Sequence, residues 1–219
     1  MSDPIIYADI ISQPARAVLS YCEILGLKYT LREIRLFRGE HLTEDYKKIS
    51  ATQTIPSMVH GNLTLYESHA IMSYLSDLSP IGKNWYPEDR VQRALVDCYL
   101  HWHHFHIRLG CGIYLFNQFV APVLYGKSSD EITKMTSDAR EDAFIMIEGI
   151  LGQGLYVART QNPTIADISC YAEVVSLSQI NFDFTKYPNI KTWMNKIGEI
   201  DGVKKIHQRF FKLTFKPKL

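Results

Sequence analysis

The apolar periodicity of this chain changes near residue 80, and that change constrains the fold more than any other feature. Strand-like and helix-like segments alternate before it, whereas apolar residues recur every three or four positions almost throughout the part that follows. Between the two parts, residues 79–87 are rich in Pro, Gly and Ser. We therefore predict an α/β domain over residues 1–80, a linker at 81–87 and an all-helical domain over 88–219.

The predicted elements of the first domain follow a βαβ order and then a ββα order. The strand segments lie at residues 5–9, 29–35, 56–60 and 63–66, and the helical segments lie at 14–25, 42–49 and 68–78. His60-Gly61-Asn62 supplies a hairpin turn between the last two strands. This order is the one found in a thioredoxin-like domain.

In the second domain, the spacing predicts one long helix over 88–119 and another over 130–151. Thr164 and Asp167 have the spacing of an N-cap residue and its capping-box partner, so a further helix should begin after Thr164. Two more helical segments follow it, and the last lies beyond residue 200.

Ser12 lies where the first strand gives way to a helix. Pro14 suits a first helical turn, and the apolar residues between Ala17 and Leu25 have helical spacing. A hydroxyl at this place can donate a hydrogen bond to a thiolate. Ser is also a common helix cap, so the residue alone leaves both interpretations open.

A second motif, Glu67-Ser68, precedes an apolar helical pattern that begins at Ala70, so Ser68 is the predicted N-cap. A helix start presents free backbone N–H groups, which suit a ligand carboxylate, while Glu67 can pair with an adjacent ammonium. Ile55-Pro56 precedes a strand and suits a turn with a cis proline that exposes the Ile55 main chain to an extended peptide. These features predict a peptide ligand with an α-amino acid end and a thiol.

Seven motifs run in order along nearly the whole chain. They are Ser12-Gln13-Pro14 with Arg16, Gly39-Glu40-His41, Ile55-Pro56, Glu67-Ser68 with Ala70-Ile71, Trp85-Tyr86-Pro87, Arg108, and Thr164-Ile165-Ala166-Asp167. Their order and approximate spacing resemble those of the glutathione transferase family, and specifically its theta-like, serine-type members. The resemblance implies a thioredoxin-like N-terminal domain followed by an all-helical C-terminal domain.

The resemblance also implies a role for each residue of a glutathione site. Ser12 would stabilise the glutathione thiolate, and Arg16 would add positive potential or brace the site. Tyr7 is the competing activator, because other transferase classes use a tyrosine at the end of the first strand, but the one-turn spacing of Ser12 and Arg16 matches the serine type. The implied glutathione ligands are His41 at the glycine carboxylate, Ile55 along the cysteinyl unit, Glu67 and Ser68 at the γ-glutamyl head, and Gln13, Thr54 and Pro56 beside them.

Arg108 matches a theta-like active-site arginine, and with it Tyr114 and Phe116 are candidates for the pocket of an apolar electrophile. Aromatic side chains at helical spacing also suit a helix core, so this interpretation has a structural alternative. The histidine-rich run at 101–106 contains two i,i+3 pairs on different helix faces without an acidic residue nearby, so no metal site is expected.

Three positions depart from the theta-like pattern. Thr54 and Leu42 stand where that pattern often has lysine, so either glutathione binds more weakly or Gln53 and other groups compensate for the poorer anion contacts. Phe105 replaces an aspartate that in some theta members reaches the ligand of the partner subunit. That cross-subunit contact is therefore not expected here.

Composition narrows the classes of partner. Hydrophobic residues at 46% and aromatic residues at 12% favour a packed core, and a net charge of +1 supplies no field for nucleic acid or an anionic membrane. The four cysteines are scattered without a CxxC motif, which indicates reduced thiols and a cytoplasmic location. We found no leader segment and no run approaching about 18 apolar residues, so neither secretion nor a membrane span is expected.

The sequence thus predicts a homodimeric transferase that joins glutathione to small hydrophobic electrophiles, or that reduces organic hydroperoxides with glutathione. The main alternative is a non-catalytic member of the same fold that binds apolar ligands or other proteins. Glutathione-dependent thiol-disulfide exchange ranks last, because it needs a nucleophilic cysteine where Ser12 stands.

Overall fold

The computed structural model describes residues 2–213. It divides into two compact units. The first consists of residues 2–88 together with Glu199–Lys212, and the second of Asp89–Gly198. The α-helices, numbered in chain order, are α1 (Gln13–Ile24), α2 (Glu44–Lys47), α3 (Ser68–Ser76), α4 (Gly82–Trp85), α5 (Arg90–His103), α6 (Ala121–Tyr125), α7 (Asp130–Gly152), α8 (Ile165–Val174), α9 (Pro188–Gly198) and α10 (Asp201–Phe211).

A four-stranded mixed sheet organises the first unit. Its strands are β1 (Ile5–Ala8), β2 (Thr30–Glu33), β3 (Ser57–His60) and β4 (Leu63–Tyr66), in the spatial order β2-β1-β3-β4. β1 and β2 are parallel, whereas the β1–β3 and β3–β4 pairs are antiparallel. With α1 between β1 and β2 and α3 after β4, this is the thioredoxin-like arrangement, so the predicted fold class is confirmed.

The last helix, α10, packs on α1 in the first unit, whereas the sequence analysis assigned it to the helical domain. A Cβ atom on Gly202 would lie 2.7 Å from the Ile24 nitrogen and 2.8 Å from the Ser20 carbonyl oxygen, so the two helix backbones approach closely there. Lys205 also pairs with Glu23 at 2.7 Å. Helical periodicity shows that α10 buries one face, but it does not show which partner that face meets.

The first long helix of the second unit changes its hydrogen-bonding pattern along its length. α5 passes into a π-helical segment, His104–Ile113, and a second π-helical segment, Phe116–Val120, precedes α6. Gly110 lies in the first of these, where a Cβ atom would come 2.6 Å from the Arg140 Cα atom of α7. The sequence predicted an uninterrupted helix, because apolar spacing does not report a change from α to π bonding.

The predicted capping box at the start of α8 is present. The Asp167 carboxylate accepts hydrogen bonds from the Thr164 N–H at 2.9 Å and from the Trp193 Nε1–H at 2.9 Å. Burial raises the pKa of Asp167 to about 6. This carboxylate therefore joins α8 to α9 and has a structural role.

By length and composition, the helical stretch Arg90–Tyr125 is apolar enough to cross a membrane, although the sequence analysis found no such run. Core helices of soluble proteins satisfy the same condition.

Candidate functional site

Three of the predicted site segments meet at one edge of the first unit's sheet. Tyr7 at the end of β1 pairs with Ser57 at the start of β3, and Ser57 pairs with Tyr66 at the end of β4. The turn that leads to Ser12, the Ile55-Pro56 turn and the Glu67-Ser68 motif directly adjoin these three strand ends. The strand register therefore brings the three segments to the same edge, as a single ligand site requires.

Ser12 is the N-cap residue of α1 and is 9% exposed. Its Oγ accepts a long hydrogen bond from the Ala15 N–H at 3.4 Å. Within residues 2–213, the Ser12 hydroxyl donates to no acceptor. Capping uses an oxygen lone pair, whereas stabilisation of a thiolate uses the O–H bond, so one side chain can do both.

The backbone before Ser12 is held in a tight turn. The Ser12 N–H donates to the Asp9 carbonyl at 3.1 Å, and the Asp9 carboxylate accepts from the Ile11 N–H at 3.1 Å and from the Leu36 N–H at 3.0 Å. Asp9 thus links this turn to the loop after β2. Asp9 is not among the predicted site residues, although a carboxylate directly after a strand is a common turn-forming residue.

The start of α3 differs by one residue from the prediction. Glu67 takes the N-cap position with φ 75°, and Ser68 is the first helical residue. Left-handed backbone at a residue other than glycine is uncommon and occurs often at ligand sites. The Glu67 carboxylate makes no cap hydrogen bond, and the N–H groups of the first turn of α3 have no acceptor within the helix. The arrangement suits a ligand that carries both an ammonium and a carboxylate.

The Ile55–Pro56 peptide bond is cis, as the sequence predicted. The Thr54 carbonyl accepts from the Tyr46 hydroxyl at 2.9 Å and from the Ser57 hydroxyl at 3.1 Å, which fixes the loop from both sides. In the described part of the chain, nothing pairs with the Ile55 N–H or carbonyl. The Ile55 main chain is therefore available to an extended ligand.

His41 and Gln53 lie close together, since the Gln53 side-chain amide donates to the His41 carbonyl at 3.4 Å. Burial lowers the pKa of His41, so its imidazole is neutral at pH 7. The His41 Nδ1 atom is buried and makes no hydrogen bond to any residue in 2–213. A neutral His41 can donate one N–H to a carboxylate but adds no charge, and neither Thr54 nor Leu42 supplies one.

Tyr7, the competing activator, packs edge-on against Tyr46 with the ring centroids 6.0 Å apart. Arg16 is fully buried, and its Nη1 donates to the carbonyls of Ile10 and Ile11 at 2.9 Å each. Arg16 therefore braces the turn that leads to Ser12. Gln13, the remaining predicted ligand in this segment, is the first residue of α1.

The residues predicted for the electrophile pocket lie in the second unit, along one helical stretch. Arg108 pairs with Glu173 of α8 at 2.7 Å, and Glu173 is almost fully buried. The Tyr114 ring lies 4.4 Å from the Arg140 guanidinium carbon, and Phe116 is 41% exposed. No sequence pattern indicates Glu173 as the partner of Arg108, because ion pairing between distant helices leaves no local pattern.

The histidine run does not converge on one point. His106 stacks on Trp102 at 4.4 Å between ring centroids, whereas His103 is buried against Tyr99. Among residues 2–213, no group of three or more His, Cys, Asp or Glu side chains has the geometry to hold a metal ion.

Comparison with known proteins shows to which family the chain belongs. Residues 11–78 match the model of the glutathione S-transferase N-terminal domain. The chain is 31% identical to glutathione S-transferase T1 of Arabidopsis thaliana over 179 residues, which are 80% of this chain and 73% of that protein. It is 28% identical to glutathione S-transferase theta-2 of Rattus norvegicus over 198 residues, or 90% of this chain and 81% of that protein.

A solved structure supports the same family. The fold superimposes on human glutathione transferase theta-2, crystallised in complex with glutathione, with a TM-score of 0.89 and 26% identity, over 98% of this chain and 90% of that chain. A thioredoxin-like sheet followed by a helical unit is thus the architecture that this chain shares with glutathione transferases. The chain belongs to the glutathione S-transferase family, and these relatives are of its theta class.

Proposed function

We propose that this protein transfers the glutathione thiolate to small hydrophobic electrophiles and that Ser12 stabilises the thiolate. The main observation is that the Ser12 hydroxyl, at the start of α1, donates a hydrogen bond to no acceptor within residues 2–213. The proposal is supported by the strand register, which pairs the end of β1 before the Ser12 turn with the strand ends that adjoin Ile55 and Glu67. The glutathione bound to human theta-2 supports the choice of ligand.

The chemistry requires a lower thiol pKa. A free thiol with a pKa of about 8.5 is only a few per cent thiolate at neutral pH, and the thiolate is the nucleophile. The Ser12 O–H and the positive end of α1 favour the anion, and the released proton passes to solvent. The sulfur then forms a bond to the electrophilic carbon while the leaving group departs with its electron pair. Ser12 does not itself attack, so it needs no histidine as a base.

In this proposal, a protein group binds each end of glutathione. Glu67 pairs with the γ-glutamyl ammonium, and the first N–H groups of α3 meet the adjacent carboxylate. The Ile55 main chain pairs with the cysteinyl unit, and His41 donates to the glycine carboxylate. Gln13, Thr54, Pro56 and Ser68 complete the surroundings of the peptide.

Arg108, Tyr114 and Phe116 are the residues that we propose for electrophile binding. Reduction of hydroperoxides fits the same thiolate and is a second reaction to test. We further propose a cytoplasmic homodimer that functions in detoxification.

Thiol-disulfide exchange gains no support from the cysteines. Cys22 is buried inside α1, and burial raises the pKa of its thiol to about 12, which suppresses the reactive thiolate. The alternative of a non-catalytic, ligand-binding protein gains some support from the neutral His41, which indicates weaker glutathione affinity.

Turnover of an aryl halide, an arylalkyl halide and cumene hydroperoxide with glutathione tests the proposal. Ser12→Ala should lower kcat/KM by about tenfold or more, the effect of one charge-assisted hydrogen bond, while glutathione still binds. Ser20→Ala is the matched control, because Ser20 lies in the same helix and its buried hydroxyl has no hydrogen-bond partner within residues 2–213. Binding of glutathione without turnover of any substrate would favour the non-catalytic alternative.

A further inference from the structure

The Arg16 side chain connects the Ser12 turn to the C-terminal helix. Its guanidinium is fully buried, and one nitrogen donates to two successive carbonyls, those of Ile10 and Ile11. These residues immediately precede Ser12. A shift of the guanidinium therefore removes two hydrogen bonds from the backbone that sets the direction of the Ser12 hydroxyl.

Phe210 of α10 fixes the other side of the same guanidinium. The Arg16 guanidinium carbon lies 3.7 Å from the centroid of the Phe210 ring, and Phe210 is 2% exposed. Stacking on an aromatic face restricts the plane of an arginine as well as its position. The donor directions toward the two carbonyls thus depend on where α10 holds this ring.

The packing of α10 on α1 leaves little freedom for that ring. At Gly202 the backbones of the two helices approach so closely that a side chain would collide with the main chain at Ile24 and Ser20. His207, one turn before Phe210, is also buried, and its Nδ1 is within 3.0 Å of the Val203 carbonyl. Burial, together with the nearby Arg16 charge, lowers the pKa of His207 to about 3, so Arg16 faces a neutral neighbour.

We propose that α10 positions the catalytic serine, because Phe210 holds the Arg16 guanidinium and Arg16 holds the Ile10–Ile11 turn. Phe210 and Arg16 are positioning residues in this scheme, and neither touches the sulfur. The inference rests on the proposed role of Ser12 as the donor to the thiolate. It adds that the C-terminal helix is required for a low pKa of the bound thiol and not only for the stability of the unit.

The test compares Phe210→Leu with Phe211→Leu. Both variants remove a ring from α10, but Phe211 is 45% exposed and its ring lies against Phe210 at 5.6 Å between centroids, whereas Phe210 itself stacks on Arg16. The readouts are the pKa of the glutathione thiol in the complex, followed by the ultraviolet absorbance of the thiolate, together with kcat and KM. A structural role alone would lower the melting temperature without moving the thiol pKa.

Phe210→Leu should raise the bound thiol pKa by about half a unit to one unit, which lowers kcat by about three- to tenfold when it is measured at a pH below the thiol pKa. The KM for glutathione should stay within about twofold, because the groups that bind the peptide ends are unchanged. Phe211→Leu should match the wild type. An unchanged thiol pKa in Phe210→Leu, or an equal shift in both variants, would overturn the inference.

Arg16→Lys gives a second test that does not depend on the folding of Phe210→Leu. Lysine keeps the charge but loses the planar guanidinium that stacks on the ring and donates to both carbonyls. The same rise in thiol pKa is expected, and a wild-type value would overturn the inference. If the thiol pKa of glutathione bound to the wild-type protein is not lowered, the proposed function fails. If that thiol pKa is lowered in the wild type and equally lowered in both variants, only the role of α10 is overturned.

Discussion

The Arg108 guanidinium donates to the Glu173 carboxylate at 2.7 Å, and the two partners differ sharply in their access to water. The Arg108 side chain is 32% exposed, whereas that of Glu173 is 2% exposed. A Cβ atom on Gly112 would lie 2.7 Å from both the Arg108 Nη1 atom and the Glu173 Oε2 atom. The pair therefore packs directly against the helix backbone at Gly112, where a Cβ atom would displace one of the two side-chain ends.

This asymmetry predicts unequal costs for removing either partner. Arg108→Met should destabilise the protein by about 3 kcal/mol, because it leaves a buried carboxylate without its cation. Glu173→Gln should cost about 1 kcal/mol, since the remaining guanidinium can reach water and the amide can still accept its hydrogen bond. Urea unfolding of the two variants measures the difference, and equal costs would contradict it.

Glu67→Ala should raise the dissociation constant for glutathione by about two orders of magnitude, because it removes the carboxylate that we assign to the γ-glutamyl ammonium. S-methylglutathione should lose as much affinity, since its thiol is blocked but its head group is unchanged. Titration calorimetry measures both ligands. Glu88→Ala, which removes an exposed carboxylate paired with Lys83 at 2.8 Å, is the control and should bind as the wild type does.

His207 should make the protein sensitive to acid. Its pKa is about 3 in the folded protein and near 6.5 when unfolded, so below pH 6.5 the unfolded chain binds a proton that the folded chain does not. Its contribution to stability is therefore present above pH 6.5 and lost as the pH falls toward 3. The free energy of unfolding should fall by about 1.4 kcal/mol for each pH unit below pH 6.5.

Comparison with His207→Gln, which does not titrate, isolates this effect from the carboxylates. The free energy of unfolding of the wild type should fall relative to that of the variant between pH 6.5 and pH 5. If the free energies of unfolding of the wild type and the variant change equally with pH, His207 does not cause the pH dependence of stability.

Sedimentation at micromolar concentration should give about twice the chain mass of 25.2 kDa, as expected of a homodimer. Because Phe105 is 79% exposed and carries no charge or hydrogen-bonding group for a partner's ligand, each site should bind glutathione with its own subunit alone. A heterodimer of wild-type and Ser12→Ala chains should then have about half the wild-type activity. A fully active monomer would exclude the dimer as a requirement.

Features set by neighbouring residues were predictable from the sequence. The turn at Ile55-Pro56, the capping box of Thr164 and Asp167, and the alternation of strands and helices each follow from local backbone chemistry. The start of α3 was predicted one residue late, because Ser is the better cap by propensity, whereas the chain adopts a left-handed residue at Glu67.

Contacts between distant segments were not predictable in the same way. Nothing near Arg16 in the sequence indicates that its guanidinium meets Phe210, and nothing near Arg108 indicates Glu173. Amphipathic spacing identifies a buried face, but its partner depends on the folded chain as a whole.

The close approach of α10 to α1 at Gly202 also bears on synthesis of the chain. Residues 2–88 of the first unit are translated first, but α10, which covers α1 and stacks on Arg16, is translated only after the entire second unit. Until then α1 lacks its covering helix, and the apolar face that it will bury is open to chaperones. The Ser12 turn therefore reaches its final support only after α10 has been translated, and a fragment that ends at residue 88 would not acquire it.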